Sequence, residues 1–163
     1  MKYALCLMFA VILVGCSVRE TRKTYYDNGE LKAIFNWKGD KKDGAQKTFY
    51  ENGQLKSESN WKFGKQHGVQ KTYWENGKMQ EVSNYHDGKE EGVTKSFYEN
   101  GKLQGEFNYK DGRLEGISKT YYESGKLEAE TNFSKGALEG IKKEFYEDGR
   151  LKSEKKYENG KNS

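Results

Sequence analysis

From residue 24 onward, apolar and polar positions alternate in short runs that are cut every dozen residues by a glycine. In the third such stretch, Lys71-Thr72-Tyr73-Trp74 leads into Asn76-Gly77, and Met79-Gln80-Glu81-Val82-Ser83-Asn84-Tyr85 leads into Asp87-Gly88. Period-two alternation bounded by Asn-Gly and Asp-Gly predicts antiparallel strands joined by tight turns. Both dipeptides suit a type I′ turn with positive φ at its two central residues. No segment carries a helical period.

The pattern then repeats with a period of 24 residues. Turn glycines fall at Gly29, Gly53, Gly77, Gly101, Gly125 and Gly149, and an aromatic doublet precedes each, from Tyr25-Tyr26 to Phe145-Tyr146. A single aromatic recurs at Trp37, Trp61, Tyr85, Tyr109, Phe133 and Tyr157. Two further glycine columns begin at Gly44 and Gly64. Copies without insertions define a repeat array. The predicted fold is all-β: an elongated single-layer antiparallel β-meander of six two-stranded repeats, at about 24–47, 48–71, 72–95, 96–119, 120–143 and 144–163.

Two-residue loops fix the register. They set Trp74 against Met79, Thr72 against Glu81, Lys71 against Val82, Ser83 against Gly92 and Tyr85 against Glu90. Positions 72, 74, 79, 81, 83, 85, 90 and 92 then share one face, unless a bulge at Gly92 shifts the second hairpin. That face gathers two aromatics per repeat with small residues between them, and glycine beside a ring lets the ring lie over bare backbone. The leucine column from Leu31 to Leu151 is expected there too.

Composition sharpens this picture. The chain has 163 residues, 12 Tyr, 8 Phe, 3 Trp, 19 Gly and no Pro, and a third of it is charged. Few aliphatics remain for a deep core, so stability is expected from cross-strand aromatic pairs summed along a ribbon. The net charge of +4 comes from both signs interspersed, which argues against a nucleic-acid partner.

The lysine column Lys23, Lys47, Lys71, Lys95, Lys119, Lys143 could grip phosphates as a ladder. The register instead sets Lys47, Lys95, Lys119 and Lys143 opposite Glu58, Glu106, Glu130 and Glu154. Only Lys23 and Lys71 face an apolar residue, so the column reads as cross-strand ion pairs. The acidic column Asp27, Glu51, Glu75, Glu99, Glu123, Glu147 gives one carboxylate per hairpin, short of the converging oxygens calcium needs. His67 and His86, the only histidines, stand at non-equivalent positions in different repeats and read as scattered surface residues. No metal site, cofactor or catalytic constellation emerges, and the expectation is a protein that is not an enzyme. The aromatic face is the candidate binding surface, through Trp37, Trp61, Trp74, Tyr85, Tyr98 and Tyr109, residue types that interfaces favour.

Ahead of the array, residues 1–16 read MKYALCLMFAVILVGC. Lys2 and an apolar run from Ala4 to Val14 suit a signal peptide and are too short for a spanning helix. The ending Leu13-Val14-Gly15-Cys16 resembles the lipobox of bacterial lipoproteins. That resemblance implies cleavage of residues 1–15, a diacylglycerol thioether on Cys16, and an exported protein anchored to the cell membrane or outer membrane, facing periplasm or exterior. Residues 16–22 are expected to be the lipidated terminus and linker, with the repeats spanning 23–163.

The motif YENGKL with NY.DGK..G resembles the MORN repeats in their bacterial variant, often labelled as toxin–antitoxin antitoxins. The likeness spans residues 24–160 and implies association with protein or membrane. The leading functional expectation is a non-catalytic, lipid-anchored scaffold binding a protein or surface polymer at the envelope. An antitoxin or immunity-like role toward one toxin, and phospholipid binding aided by Arg19, Arg22 and Lys23, are the alternatives. Lys155-Lys156 in the last copy reads as a charged cap on an open sheet edge, and a monomer is expected.

Overall fold

The computed structural model describes residues 18–162. All of its strands belong to one antiparallel sheet. The chain runs through β1 (Arg19–Tyr25), β2 (Leu31–Lys38), β3 (Lys41–Lys42), β4 (Gly44–Phe49), β5 (Leu55–Lys62) and β6 (Lys65–Gln66). It continues through β7 (Gly68–Tyr73), β8 (Met79–His86), β9 (Lys89–Glu90), β10 (Gly92–Phe97), β11 (Leu103–Lys110) and β12 (Arg113–Leu114). It ends with β13 (Gly116–Tyr121), β14 (Leu127–Ser134), β15 (Ala137–Phe145), β16 (Leu151–Glu158) and β17 (Lys161–Asn162). Pairing follows chain order throughout, so the meander expected from the repeat is present. Strand β1 begins at Arg19, inside the segment read as a linker.

Hairpin registers match the expectation in their bodies. Lys71 pairs with Val82 and Thr72 with Glu81, and Lys95 pairs with Glu106. The turns themselves differ. Tyr73, not Trp74, sits opposite Met79, because the register slips by one residue between Thr72 and Tyr73. Gly77 donates its N–H to the Trp74 carbonyl at 2.9 Å, and the Trp74 N–H reaches the Lys78 carbonyl at 2.8 Å. The connection is therefore a three-residue loop closed by a bulge, and Asn76 does not take positive φ; only Gly77 does, at 81°. Asparagine has a different task here: Asn76 Oδ1 accepts the Lys78 N–H at 2.9 Å, an Asx turn that Asn28, Asn52, Asn100 and Asp148 repeat.

The slip redistributes the faces. Opposite residues in an antiparallel pair share a face. Leu31, Leu55, Met79, Leu103, Leu127 and Leu151 pair with the first member of each doublet, so they lie on the lysine–glutamate face and not on the second aromatic face as expected. Tyr73 marks that side by donating to Glu58 at 3.1 Å, and Tyr121 does the same to Glu106 at 3.3 Å.

The other turn is type I′, as read from Asp-Gly. Asp87 and Gly88 have φ of 50° and 87°, and Phe63, Asp111, Lys135 and Asn159 share that left-handed conformation. After it, Tyr85 pairs with Glu90, but pairing resumes at Val82 with Lys95. The bulge falls at Glu91-Gly92, where Gly92 has φ 84°, and it displaces the expected Ser83–Gly92 pair. Two residues are absorbed, so side chains keep their faces. A backbone bond closes this bulge: the Asn84 carbonyl accepts the Glu91 N–H at 2.9 Å. In neighbouring repeats the Asn36 and Asn108 side chains also donate to the Ala45 and Ile117 carbonyls.

Candidate binding groove

One face of the sheet is built as a floor between two aromatic walls. The floor is small or polar: Ala33, Gln46, Ser83, Thr94 and Ser118 are its most buried side chains. A single layer buries such residues because rings fold across them. An added Cβ on Gly105 would stand 2.5 Å from the Phe107 ring, so that ring covers bare backbone, as the sequence suggested.

The first wall holds Trp37, Trp61, Tyr85 and Tyr109, all half-buried. Arg22 lies 4.9 Å from the Trp37 ring centre and Lys42 lies 4.7 Å from that of Trp61. Burial pushes the Tyr85 and Tyr109 phenols upward, and the nearby Glu90 carboxylate adds to it.

The second wall holds the second member of each doublet, including Trp74 and Tyr98. These residues clasp consecutive repeats. Tyr26, Tyr50, Tyr98 and Tyr122 each donate their hydroxyl to a carbonyl of the next repeat at 2.7 Å, and Trp74 Nε1 reaches the Phe97 carbonyl at 3.1 Å. Trp74 and Tyr98 thus spend their polar groups on the fold and offer a ligand only ring surface.

Chemistry changes along the groove. At the N-terminal end, a cleft of about 490 Å³ is lined by Tyr26, Ala33, Phe35 and Thr48, with Lys32 and Lys56 at its rim. Those lysines stand 5.1 and 5.2 Å from the Tyr26 and Tyr50 ring centres. In the middle lie two carboxylates. Thr94 donates to Glu90 at 2.6 Å, while burial, and then Glu90, raise the affinity of Glu81 for its proton. Glu81 departs from its own column, which elsewhere holds Ala33, Ser57, Gly105, Ala129 and Ser153. Toward the C-terminal end, a second cleft of about 370 Å³ is lined by Phe107, Tyr122, Thr131, Phe133 and Ser118. The Ser118 hydroxyl is buried there without a hydrogen-bond partner.

The opposite face carries three of the four ion pairs read from the sequence, and the fourth acid, Glu58, stands opposite Lys47 in register but pairs with Lys71. Lys95–Glu106 closes to 2.8 Å, Lys119–Glu130 to 3.7 Å and Lys143–Glu154 to 3.8 Å. Lys95 holds the Glu106 carboxyl below its ordinary range, chiefly by hydrogen bonding. Lys71 does not lack an acid, contrary to expectation: it pairs with Glu58 of the preceding hairpin at 3.4 Å. Near the N-terminus, Arg19 faces Asp43 at 3.7 Å and Arg22 faces Glu20 at 2.9 Å, so both arginines expected beside a membrane have acidic partners.

The histidines depart most from the sequence reading. His67 and His86 are not scattered: their ring centres lie 5.1 Å apart, with Asp87 beside both. Cys16 lies outside the described residues.

The fold and its spacing agree with the family comparison. The chain matches the MORN repeat variant over residues 21–38, 42–63, 66–87, 90–111, 114–135 and 138–161, and it belongs to that family. A search of curated proteins returned no match. Membership is consistent with a repeat scaffold that binds other molecules.

Proposed function

We propose that this protein is a non-catalytic scaffold, exported and lipid-anchored through Cys16, whose aromatic groove holds an extended segment of a partner protein at the cell envelope. The observation that carries this reading is the C-terminal cleft, where Phe107, Tyr122, Thr131 and Phe133 line a pocket around a buried Ser118 hydroxyl that no group among the described residues satisfies. Buried polar groups without partners are costly, and a segment that parted the covering side chains on entering the cleft would bring a backbone group to this one. The acidic centre of Glu81 and Glu90, flanked by Lys32 and Lys56 toward one end, favours a segment with a basic middle. A surface polymer, a cognate toxin or a phospholipid headgroup would be the other occupants.

Site-specific photo-crosslinking in the producing cell tests this. Crosslinkers at Tyr122 and Phe133 are expected to trap one protein, and crosslinkers at Val69 and Lys95 on the opposite face are not. Equal trapping from both faces would reject the groove, and binding of the unlipidated chain to protein-free liposomes would favour the lipid. The anchor is read separately: palmitate should label the wild type, and Cys16→Ala should abolish labelling. Failure of that arm removes the anchor without touching the groove.

A further inference from the structure

We infer that His67, His86 and Asp87 form a site for a divalent transition-metal ion, zinc being the probe of choice. The only two histidines of the chain meet across stacked turns. The Gly88 N–H donates to the Gln66 carbonyl at 2.8 Å, and this bond lays the turn carrying His86 and Asp87 against the residue before His67. His67 Nδ1 then stands 3.5 Å from Asp87 Oδ1, and His86 Nδ1 stands 4.0 Å from Asp87 Oδ2. One ligand atom from each residue falls within 4.8 Å of the others. Zinc–nitrogen and zinc–oxygen bonds of ~2.0–2.2 Å need ligand atoms about 3.3 Å apart. Small side-chain rotations close the difference, and His86 and Asp87 are exposed enough to make them.

The array supplies its own control. At the position of His67 the other copies carry Asp43, Glu91, Glu115 and Glu139. Each of these carboxylates accepts a backbone N–H from the next turn, from Phe63, Asp111, Lys135 and Asn159 respectively. His67 gives up that role, and its Nδ1 is buried with no hydrogen-bond partner among the described residues. At the position of His86 the other copies carry Lys38, Lys62 and Lys110, and then Ser134 and Glu158. Two columns therefore depart from their pattern in the same place, and the departing residues touch each other. Surface drift at independent positions gives no reason for that coincidence; a shared ligand does. Two imidazole nitrogens and a carboxylate suit zinc, copper or nickel better than calcium or magnesium. Both rings turn Nδ1 toward Asp87, so Nδ1 is the ligating atom, and a bound ion would displace any proton there and leave it on Nε2. Three protein ligands leave a coordination position open to water or to a partner's side chain.

The test is zinc titration of the full-length, tag-free chain in detergent, followed by calorimetry and by the thermal unfolding midpoint. One equivalent of zinc is expected to bind and to raise the midpoint, since a ligand bound only by the native state stabilises it. His86→Lys restores the residue of three neighbouring copies, so it keeps the fold while placing a cation in the site. It and His67→Gln should each weaken zinc binding by about tenfold or more, since even second-shell losses cost 10–100-fold. Circular dichroism confirms that both variants remain folded. A smaller loss in either variant, or a stoichiometry other than one, overturns the site.

Discussion

Tyr98 illustrates how much one atom contributes in a protein with so little core. Its ring forms part of the groove wall, and its hydroxyl donates to the Tyr121 carbonyl at 2.7 Å. That bond ties the fourth repeat to the fifth without any backbone pairing of its own. Tyr98→Phe keeps the ring and removes only the donor to the Tyr121 carbonyl. The expected loss is about 1 kcal/mol, read as a lower urea midpoint with an unchanged slope. The wall positions were legible in the sequence because the doublet and the single aromatic recur at fixed spacing. What the doublet's second member does with its polar atom was not legible. That depends on how closely one turn stacks on the next, a distance no alternation pattern encodes. The same is true of His67 and His86, whose meeting follows from turn stacking and not from strand pairing. One signal did exist in the sequence: His67 interrupts a column of acids, and His86 interrupts a run of lysines.

At the scale of strands, the sequence gives the body of each hairpin and misses its ends. Lys95–Glu106 and Lys143–Glu154 sit where alternation from a two-residue loop puts them. Yet the loop has three residues, and a bulge restores the count. Asn-Gly is compatible with both solutions, and only the side chain's capture of the N–H two residues on distinguishes them. Because the register slips between Thr72 and Tyr73 on one strand and between Met79 and Glu81 on the other, the slip moved the leucine column to the other face while leaving the ion pairs in place. The ion-pair face carries a direct test. Lys95→Glu sets two carboxylates side by side and should lower the thermal midpoint. The double variant Lys95→Glu with Glu106→Lys should recover more than half of that loss, and the recovery should shrink as salt rises. No recovery would mean that the pair is a crossing of side chains and not an interaction.

Over the whole molecule, the array has two open edges among the described residues, and they are guarded differently. At the C-terminal edge, β16 carries Lys155 and Lys156 where the third repeat has Ser83 and Asn84. Lys156 pairs with Glu158 at 3.0 Å along the strand, and charges held along an edge discourage addition of another strand. The chain is therefore expected to sediment as a monomer, and replacing Lys155 and Lys156 with Thr and Val should shift it toward dimers and larger species. A variant as monomeric as the parent would rule out the cap. At the other edge, β1 is exposed along its length; its Glu20–Arg22 pair provides charge of both signs, and the proposed anchor would hold it near a membrane.

The clasp between consecutive copies has an evolutionary consequence. Tyr50 of one copy reaches the carbonyl of Tyr73, Tyr98 that of Tyr121, and Tyr122 that of Phe145, always 23 positions downstream. Every internal junction is in this respect the same junction. Deleting or duplicating one whole unit of the gene would join two surfaces that already fit, without inventing a new seam. A lineage can therefore lengthen or shorten this groove by unequal recombination. What it cannot discard so freely are the second and third units, because His67 stands in the one and His86, Glu81 and Glu90 in the other, with no copy elsewhere.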